Sequence, residues 1–389
     1  MTSNSGEEIV SLFSGSDPSL SVYVHIPFCA GKCPYCSFFS VVPRRGEKEE
    51  YCSLLRTEMR FFGERLADEG KFVRTLYFGG GTPSLLSPDE WERLFDCFYH
   101  TFSFSERPEI TIEANPESLT EGHLSVWKKH GVSRISIGVQ SLSDDELLWL
   151  GRIHDADAAR RALEQSVLSG FSVSADLMFG LGEQTLRSFK RSVTGVLDLG
   201  ADHISLYQLA LEEKCRWFAI PPEDRSDGYP FYRWSQWYLP GKGFFQYEIS
   251  SFSRPEKECR HNFAYWTNGQ VLALGPGAWG YAGGIRYCNE RTLPGYFRAV
   301  RHSGNAVAEM EKMEEERRVR EAAVLLLRTS KGIVFEDFAS RYGHGNLLAV
   351  VGILEEGVPP ACLSWSSVSV ALSPAGMRVA NAIWSLLVV

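Results

Sequence analysis

The chain has 389 residues, 44% of them hydrophobic and 23% charged, with a formal net charge of −8. That is enough length and apolar content for one large domain plus a smaller one, while the acidic balance and the lack of a dense Lys/Arg block exclude a visible nucleic-acid footprint. The longest apolar runs, such as residues 382–389, are too short to span a bilayer, and nine cysteines without a secretory start argue for reduced thiols and a cytoplasmic protein.

Residues 1–20 read as a polar, flexible tail. A short β-branched and aromatic strand follows at 22–26, ended by Pro27, and just beyond it come Cys29, Cys33 and Cys36 in the spacing C-x3-C-x2-C. Thiolates are the preferred protein ligands of iron–sulfur clusters. Three of them in one loop leave one iron of a four-iron cubane open, and an open metal position is where chemistry occurs. A zinc knuckle and three unrelated buried thiols are the competing readings; no fourth Cys or His follows Cys36 closely.

Further strands are expected at 74–78, 109–113, 134–139, 172–178 and 203–209, separated by helices at 50–66, 89–102, 120–130, 144–150, 155–169 and 185–198. Such alternation argues for a parallel sheet with crossover helices, here a partial (β/α)6 TIM-like barrel in an α/β fold. Working residues of such barrels sit at the C-terminal ends of strands. Here those ends carry the cysteines, Gly79-Gly80-Gly81-Thr82-Pro83-Ser84, Glu113-Ala114-Asn115-Pro116-Glu117, Gln140-Ser141 and Asp176. The glycines suit close approach of backbone to a ligand or a loose turn. Glu113 and Asp176 suit a converging rim or ordinary helix caps. Arg152 suits a bidentate grip on a carboxylate or a surface ion pair.

Toward the C-terminus, a helix is expected to open at 309–316 and run on into apolar 322–327. Helix, helix, strand and helix follow at 335–342, 347–355, 367–372 and 373–387. Ser373-Pro374 is a good helix start.

Together the cysteine clasp, the triple-glycine turn, IEANPE, GVQS, GRIH and DLMFGL resemble radical S-adenosylmethionine proteins. More narrowly they resemble the branch holding oxygen-independent coproporphyrinogen III oxidases and the heme chaperones called HemW. The resemblance implies a 4Fe–4S cluster on Cys29, Cys33 and Cys36 with S-adenosylmethionine on the unique iron. It implies that Tyr23 lies beside the sulfonium and that Gly80 and Gly81 meet the methionine amino end. Glu113, Gln140, Arg152 and Asp176 would contact the ribose and amino-acid portions, and Ala210 would line the adenine pocket. Reduction would cleave the C5′–S bond to a 5′-deoxyadenosyl radical.

Within that branch, the oxidases extend the clasp with a fourth cysteine where this chain has Phe38, and they carry a longer leading segment; only 28 residues precede Cys29 here. The string His261-Asn262-Phe263-Ala264-Tyr265-Trp266 resembles the chaperones, where its histidine is implicated in heme binding. His261 offers an imidazole for heme iron and the neighbouring rings offer faces for a porphyrin; structural hydrogen bonding is the competing reading. Two departures stand out: Trp279-Gly280 replaces the usual His and Ser, and Gly182-Glu183 the usual Pro-Gly.

The expected organisation is a tail at 1–20, a radical SAM barrel at 21–295 and a small winged-helix-like α+β domain at 296–389. Expected partners are heme, a heme-acceptor protein and a reductant such as flavodoxin or ferredoxin, with no nucleic acid and no transmembrane segment; self-association into a homodimer stays open. The oxidase activity, decarboxylation of coproporphyrinogen III to protoporphyrinogen IX, is the alternative function.

Overall fold

The computed structural model of the chain describes residues 5–15 and 17–388. Two units divide it: Met1–Gly228 with Gln270–Glu311, and Tyr229–Gly269 with Lys312–Val389.

In the first unit, β1 (Ser19–Ile26), β2 (Phe72–Gly80), β3 (Ser103–Ala114), β4 (Arg134–Gln140), β5 (Ser172–Phe179) and β6 (His203–Gln208) lie side by side in chain order. Each pairs in parallel with the next. The other side of β1 pairs in parallel with Val271–Leu274, so the six do not close on themselves and the barrel is partial, as the alternation of elements predicts. The helices of this unit include α1 (Ser5–Leu12), α2 (Glu47–Asp68), α3 (Pro88–Thr101), α4 (Glu121–Lys129), α5 (Asp144–Trp149), α6 (Ala156–Leu168) and α7 (Leu186–Asp198). Several starts are fixed by side chains: Ser87 accepts from the Glu90 amide, Thr120 from His123, Asp155 from Ala158 and Thr185 from Ser188. Each satisfies a backbone donor that the first helical turn leaves open.

Period-two alternation makes the strands two-faced. One face carries Val24, Phe78 and Ile112 in register, then Ile135 and Val173, all inaccessible to solvent. Phe78 packs edge-on against Trp91 and Phe95 of α3, ring centroids 4.9 and 5.8 Å away, which identifies this as the helix-facing side. The opposite face runs Tyr23, Tyr77, Thr111 and Arg134 in one register row and Glu113, Ser136 and Ser174 in the next. The barrel interior is therefore lined with polar groups.

Three local expectations are corrected. The 1–20 tail is in part a built element: residues 5–12 form α1, Ile9 and Phe13 are wholly buried, and Glu7 pairs with Arg65 at 2.9 Å (residues 1–4 and Ser16 lie outside the described residues). Its apolar residues fall on one helical face, which the polar average of the stretch conceals. The stretch expected to start a helix at 309–316 is the strand Val307–Lys312, beside the strand Ile285–Asn289, with Arg286 and Arg291 reaching Glu311 and Glu309. Charged side chains are what an exposed edge strand carries, and the helix begins only at Glu315. The helix expected over 373–387 is broken at Val379 into Pro374–Arg378 and Ala380–Trp384.

The division into units also departs from a linear 21–295 and 296–389 split, because residues 229–269 group with the C-terminal segment. That second unit has its own core of Val319, Leu327, Ile333, Phe338, Val350, Leu354 and Val370. Helices Glu315–Leu327, Phe335–Tyr342 and His344–Gly357 surround it with a small antiparallel sheet of Ile333–Val334, Ser369–Leu372 and Leu363–Trp365. Among the described residues no helix is long and apolar enough to cross a membrane.

Candidate functional site

At the C-terminal ends of β1 to β6 a cavity of about 330 Å³ opens in the first unit. Cys29, Cys33 and Cys36, Gly80 and Gly81, Glu113, Gln140, Arg152, Asp176 and Ala210 all line it. Tyr23 is not among the lining residues: its hydroxyl faces His25 Nδ1 at 3.1 Å and its ring stacks on Tyr77.

The clasp is built from both sides. His25 holds the Phe39 carbonyl through Nε2 at 2.8 Å, and burial pushes its pKa down to about 4, so it stays neutral. Cys29 N–H donates to Val41 O at 3.0 Å, and Val41 N–H returns to Pro27 O at 2.8 Å. From the far side, the Trp217 N–H donates to Pro34 O at 3.0 Å. Tyr35, Trp149 and Trp217 pack their rings together there. The 151–154 loop also touches the clasp: a Cβ on Gly151 would lie 3.0 Å from Pro34, and one on Gly31 3.5 Å from Ile153.

All nine cysteines are free thiols, and the three of the clasp are partly exposed. Among the described residues, only Glu92, Asp96 and His130 bring three ligand atoms within 4.8 Å of one another.

The triple glycine serves the protein's own packing. A Cβ on Gly81 would sit 2.6 Å from Phe28 O and 2.9 Å from Ile26 O, and one on Gly80, at φ 111°, 2.4 Å from the His25 ring. The Gly81 and Thr82 amides bond to Ile26 and Phe28 carbonyls at 2.8 and 2.6 Å, tying this turn to the clasp.

Two carboxylates converge on the cavity. Glu113 accepts from Tyr77 Oη at 2.8 Å and from the Gly80 amide at 3.1 Å; desolvation outweighs these bonds and raises its pKa to about 7. Asp176, also raised by burial, accepts from Ser136 Oγ at 3.1 Å and from Ser174 Oγ at 3.4 Å. The buried Arg134 guanidinium beneath them favours the ionised form of both. Gln140 bends the end of β4 at φ 64°, a conformation that costs a non-glycine residue on the order of 1 kcal/mol and is concentrated at functional sites.

Arg152 is not a surface ion pair. Its Nη2 donates to Asn115 Oδ1 at 2.8 Å and Gly138 O at 3.1 Å, while Nη1 lies 3.7 Å from Cys33 Sγ. Asn115 Nδ2 donates to Thr82 Oγ1 at 3.0 Å, and Thr82 Oγ1 donates to Cys29 Sγ at 3.5 Å. His154, buried next to this string, faces Glu117 Oε2 at 3.1 Å and Val139 O at 3.2 Å. Thr82, Asn115 and Glu117 stand in the strand-end strings named from the sequence, and His154 in GRIH, but sequence reasoning assigned none of the four a role of its own.

His261 lies in the second unit, on the helix Arg260–Trp266. Its ring is 1% exposed, meets Tyr265 edge-on at 5.5 Å, and is pushed by burial to a pKa of about 3. Arg328 covers the Trp266 ring at 4.2 Å, and Phe263 packs on Tyr247 at 5.3 Å. The departures noted in the sequence also have local accounts. Trp279 is half exposed under the Arg291 guanidinium, and a Cβ at Gly280 would strike the Tyr287 ring at 2.2 Å. Glu183 adopts φ 51° in the turn after β5, so the position where glycine is usual keeps a left-handed backbone with a side chain on it.

Residues 23–194 match the family model of the radical SAM superfamily. The chain is 33% identical to the heme chaperone HemW of Bacillus subtilis (strain 168) over 333 residues, 83% of this chain and 87% of that one. It is 35% identical to the mitochondrial radical S-adenosyl methionine domain-containing protein 1 of Bos taurus, over 81% of this chain and 74% of that one. Among solved structures, the coproporphyrinogen III oxidase HemN of Escherichia coli, a radical SAM enzyme, superposes with a TM-score of 0.86 at 22% identity, over 99% of this chain and 93% of that one. At that identity the likeness speaks for the fold alone. With two such relatives spanning most of its length and the three-cysteine mouth in place, the chain belongs to the HemW heme-chaperone family of the radical SAM superfamily.

Proposed function

We propose that this protein binds heme and passes it to an acceptor protein, and that it holds a 4Fe–4S cluster on Cys29, Cys33 and Cys36 with S-adenosylmethionine in the adjoining cavity. The observation that carries the cluster reading is the meeting of those three thiols with Gly80, Glu113, Gln140, Arg152 and Asp176 around one space. When bound, the reduced cluster supplies the electron for cleavage of the sulfonium. The chain's own part is positional. Glu113 and Asp176 are held as hydrogen-bond acceptors for hydroxyl groups, each already oriented by fixed donors. The Arg152 guanidinium, beside Cys33, supplies positive charge where a carboxylate would sit.

For heme, His261 is the proposed iron ligand, with Phe263, Tyr265 and Trp266 as porphyrin faces. Its buried, neutral ring is chemically apt as a ligand but requires the helix Arg260–Trp266 to open before iron reaches it. A cytoplasmic location and reduction by a flavodoxin or ferredoxin complete the reading. Phe38, 66% exposed at the cavity, stands where the oxidases place a fourth cysteine, which favours the chaperone over the oxidase.

Anaerobic reconstitution followed by heme titration tests both parts. Wild type is expected to take up four irons per chain, to lose them in Cys29→Ala, Cys33→Ala or Cys36→Ala, and to show a Soret shift that His261→Ala reduces. Zinc at the clasp defeats the cluster reading. A Soret shift unchanged in His261→Ala defeats the ligand assignment.

A further inference from the structure

We propose that Thr82 and Asn115 are positioning residues that set the reduction potential of the cluster, Asn115 directing the Thr82 hydroxyl and Thr82 donating it to the Cys29 sulfur. This rests on the cluster reading above. The string Arg152–Asn115–Thr82 begins on one clasp sulfur and ends on another: Nη1 of Arg152 is 3.7 Å from Cys33 Sγ, and Oγ1 of Thr82 is 3.5 Å from Cys29 Sγ. Between them every bond has a fixed sense. Arg152 can only donate, so the Asn115 oxygen faces it at 2.8 Å. The Asn115 amide nitrogen is thereby turned to Thr82 at 3.0 Å, and the Thr82 hydroxyl proton is left for the sulfur. A guanidinium charge at one end polarises the chain toward the thiolate at the other.

The centre of the string is locked. The Asn115 amide donates to Ser84 Oγ at 3.1 Å, and its carbonyl accepts from Ser118 N at 3.1 Å and Leu119 N at 3.2 Å. Gly138 leaves room for it, since a Cβ there would lie 2.7 Å from Asn115 Oδ1. Thr82 is buried, 2% exposed. Cys36 lies outside the string and receives the Phe38 backbone N–H instead.

Adding an electron to an iron–sulfur cluster raises its negative charge, so donors aimed at the ligating sulfurs favour the reduced form and raise the potential. Removing the Thr82 hydroxyl while keeping its shape makes the cluster harder to reduce.

The test is an anaerobic, dye-mediated potentiometric titration of the reconstituted full chain read by EPR, after iron and sulfide are counted, on wild type, Thr82→Val, Thr82→Ser and Asn115→Asp. Thr82→Val is expected to move the midpoint to a more negative value, and Thr82→Ser, which keeps the hydroxyl, to restore it. Asn115→Asp, which draws the Thr82 proton away from Cys29, moves it negative as well. Fully loaded Thr82→Val and Asn115→Asp with the wild-type midpoint overturn the inference. Loss of cluster uptake in both replaces a tuning role with a purely structural one and overturns it too. A wild type that takes up no iron removes the cluster reading itself, an outcome distinct from a loaded cluster with unmoved potential.

Discussion

Replacing Gly80 by alanine tests how tightly the glycine turn is locked to the clasp. Two independent costs meet at this residue. Its φ of 111° lies where a side chain is strained, at roughly 1–3 kcal/mol. Its new Cβ would lie 2.4 to 2.8 Å from three atoms of the His25 ring. That ring cannot retreat without loss, because Tyr23 Oη and Phe39 O hold its two nitrogens at 3.1 and 2.8 Å. Overpacking of this kind costs another 1–3 kcal/mol or so, for a sum of about 4 kcal/mol. Gly131 is the control: its φ is 72° but nothing lies closer than 3.8 Å to a Cβ there. Gly131→Ala should therefore cost only the backbone strain, on the order of 1 kcal/mol. Urea unfolding followed by tryptophan fluorescence gives both values, and iron uptake gives the local effect, which Gly80→Ala should impair by displacing the Phe39 end of the clasp. Equal losses in the two variants would refute the packing argument.

Three further outcomes are expected. The Glu113 pKa, raised to about 7 by burial, makes its acceptor form dominant only above that pH; S-adenosylmethionine affinity, measured by equilibrium dialysis, should weaken as pH falls through 7, and Glu113→Gln should flatten the profile. Glu58 is wholly buried among the Gly275 amide at 2.8 Å, Tyr296 Oη at 2.8 Å and Asn289 Nδ2 at 3.1 Å, with its pKa raised by desolvation from 4.5 to about 7. A raised folded-state pKa gives stability that is full below pH 4.5 and lost as pH rises through 7. The gap in unfolding free energy between wild type and Glu58→Gln should thus shrink by about 3 kcal/mol between pH 4 and pH 8; a gap independent of pH would show that the hydrogen bonds to this carboxyl offset its desolvation and leave its pKa at the ordinary value of 4.5. Arg328→Ala removes the guanidinium from Trp266 and from Glu248 Oε2 at 3.1 Å, leaving a buried carboxylate without its cation; a loss of about 3 kcal/mol in the second unit is expected in chemical denaturation.

Much of this protein can be read without coordinates where a single residue's chemistry, or a period of two or 3.6, carries the signal. The strands at 22–26, 74–78, 134–139 and 172–178 lie within β1, β2, β4 and β5 because β-branched runs bounded by turns have few other uses. The rim residues met in one cavity because a parallel barrel sends every strand end to the same side. Where the signal was an average, it misled. The polar composition of 1–20 concealed α1, and the alternating charges at 309–316 resembled the start of an exposed helix, although 307–312 pair as a strand with their neighbour.

The cysteine spacing, the polar strand ends and the position of Phe38 were settled by the order of residues alone, since ligand type and strand polarity are local properties. The sharing of residues 229–269 with the C-terminal unit, the burial of His261, and the string from Arg152 through Asn115 and Thr82 to Cys29 were decided only by folding. The string depends on groups 33 to 53 positions apart meeting within hydrogen-bond range, and no local pattern encodes a distance between strands.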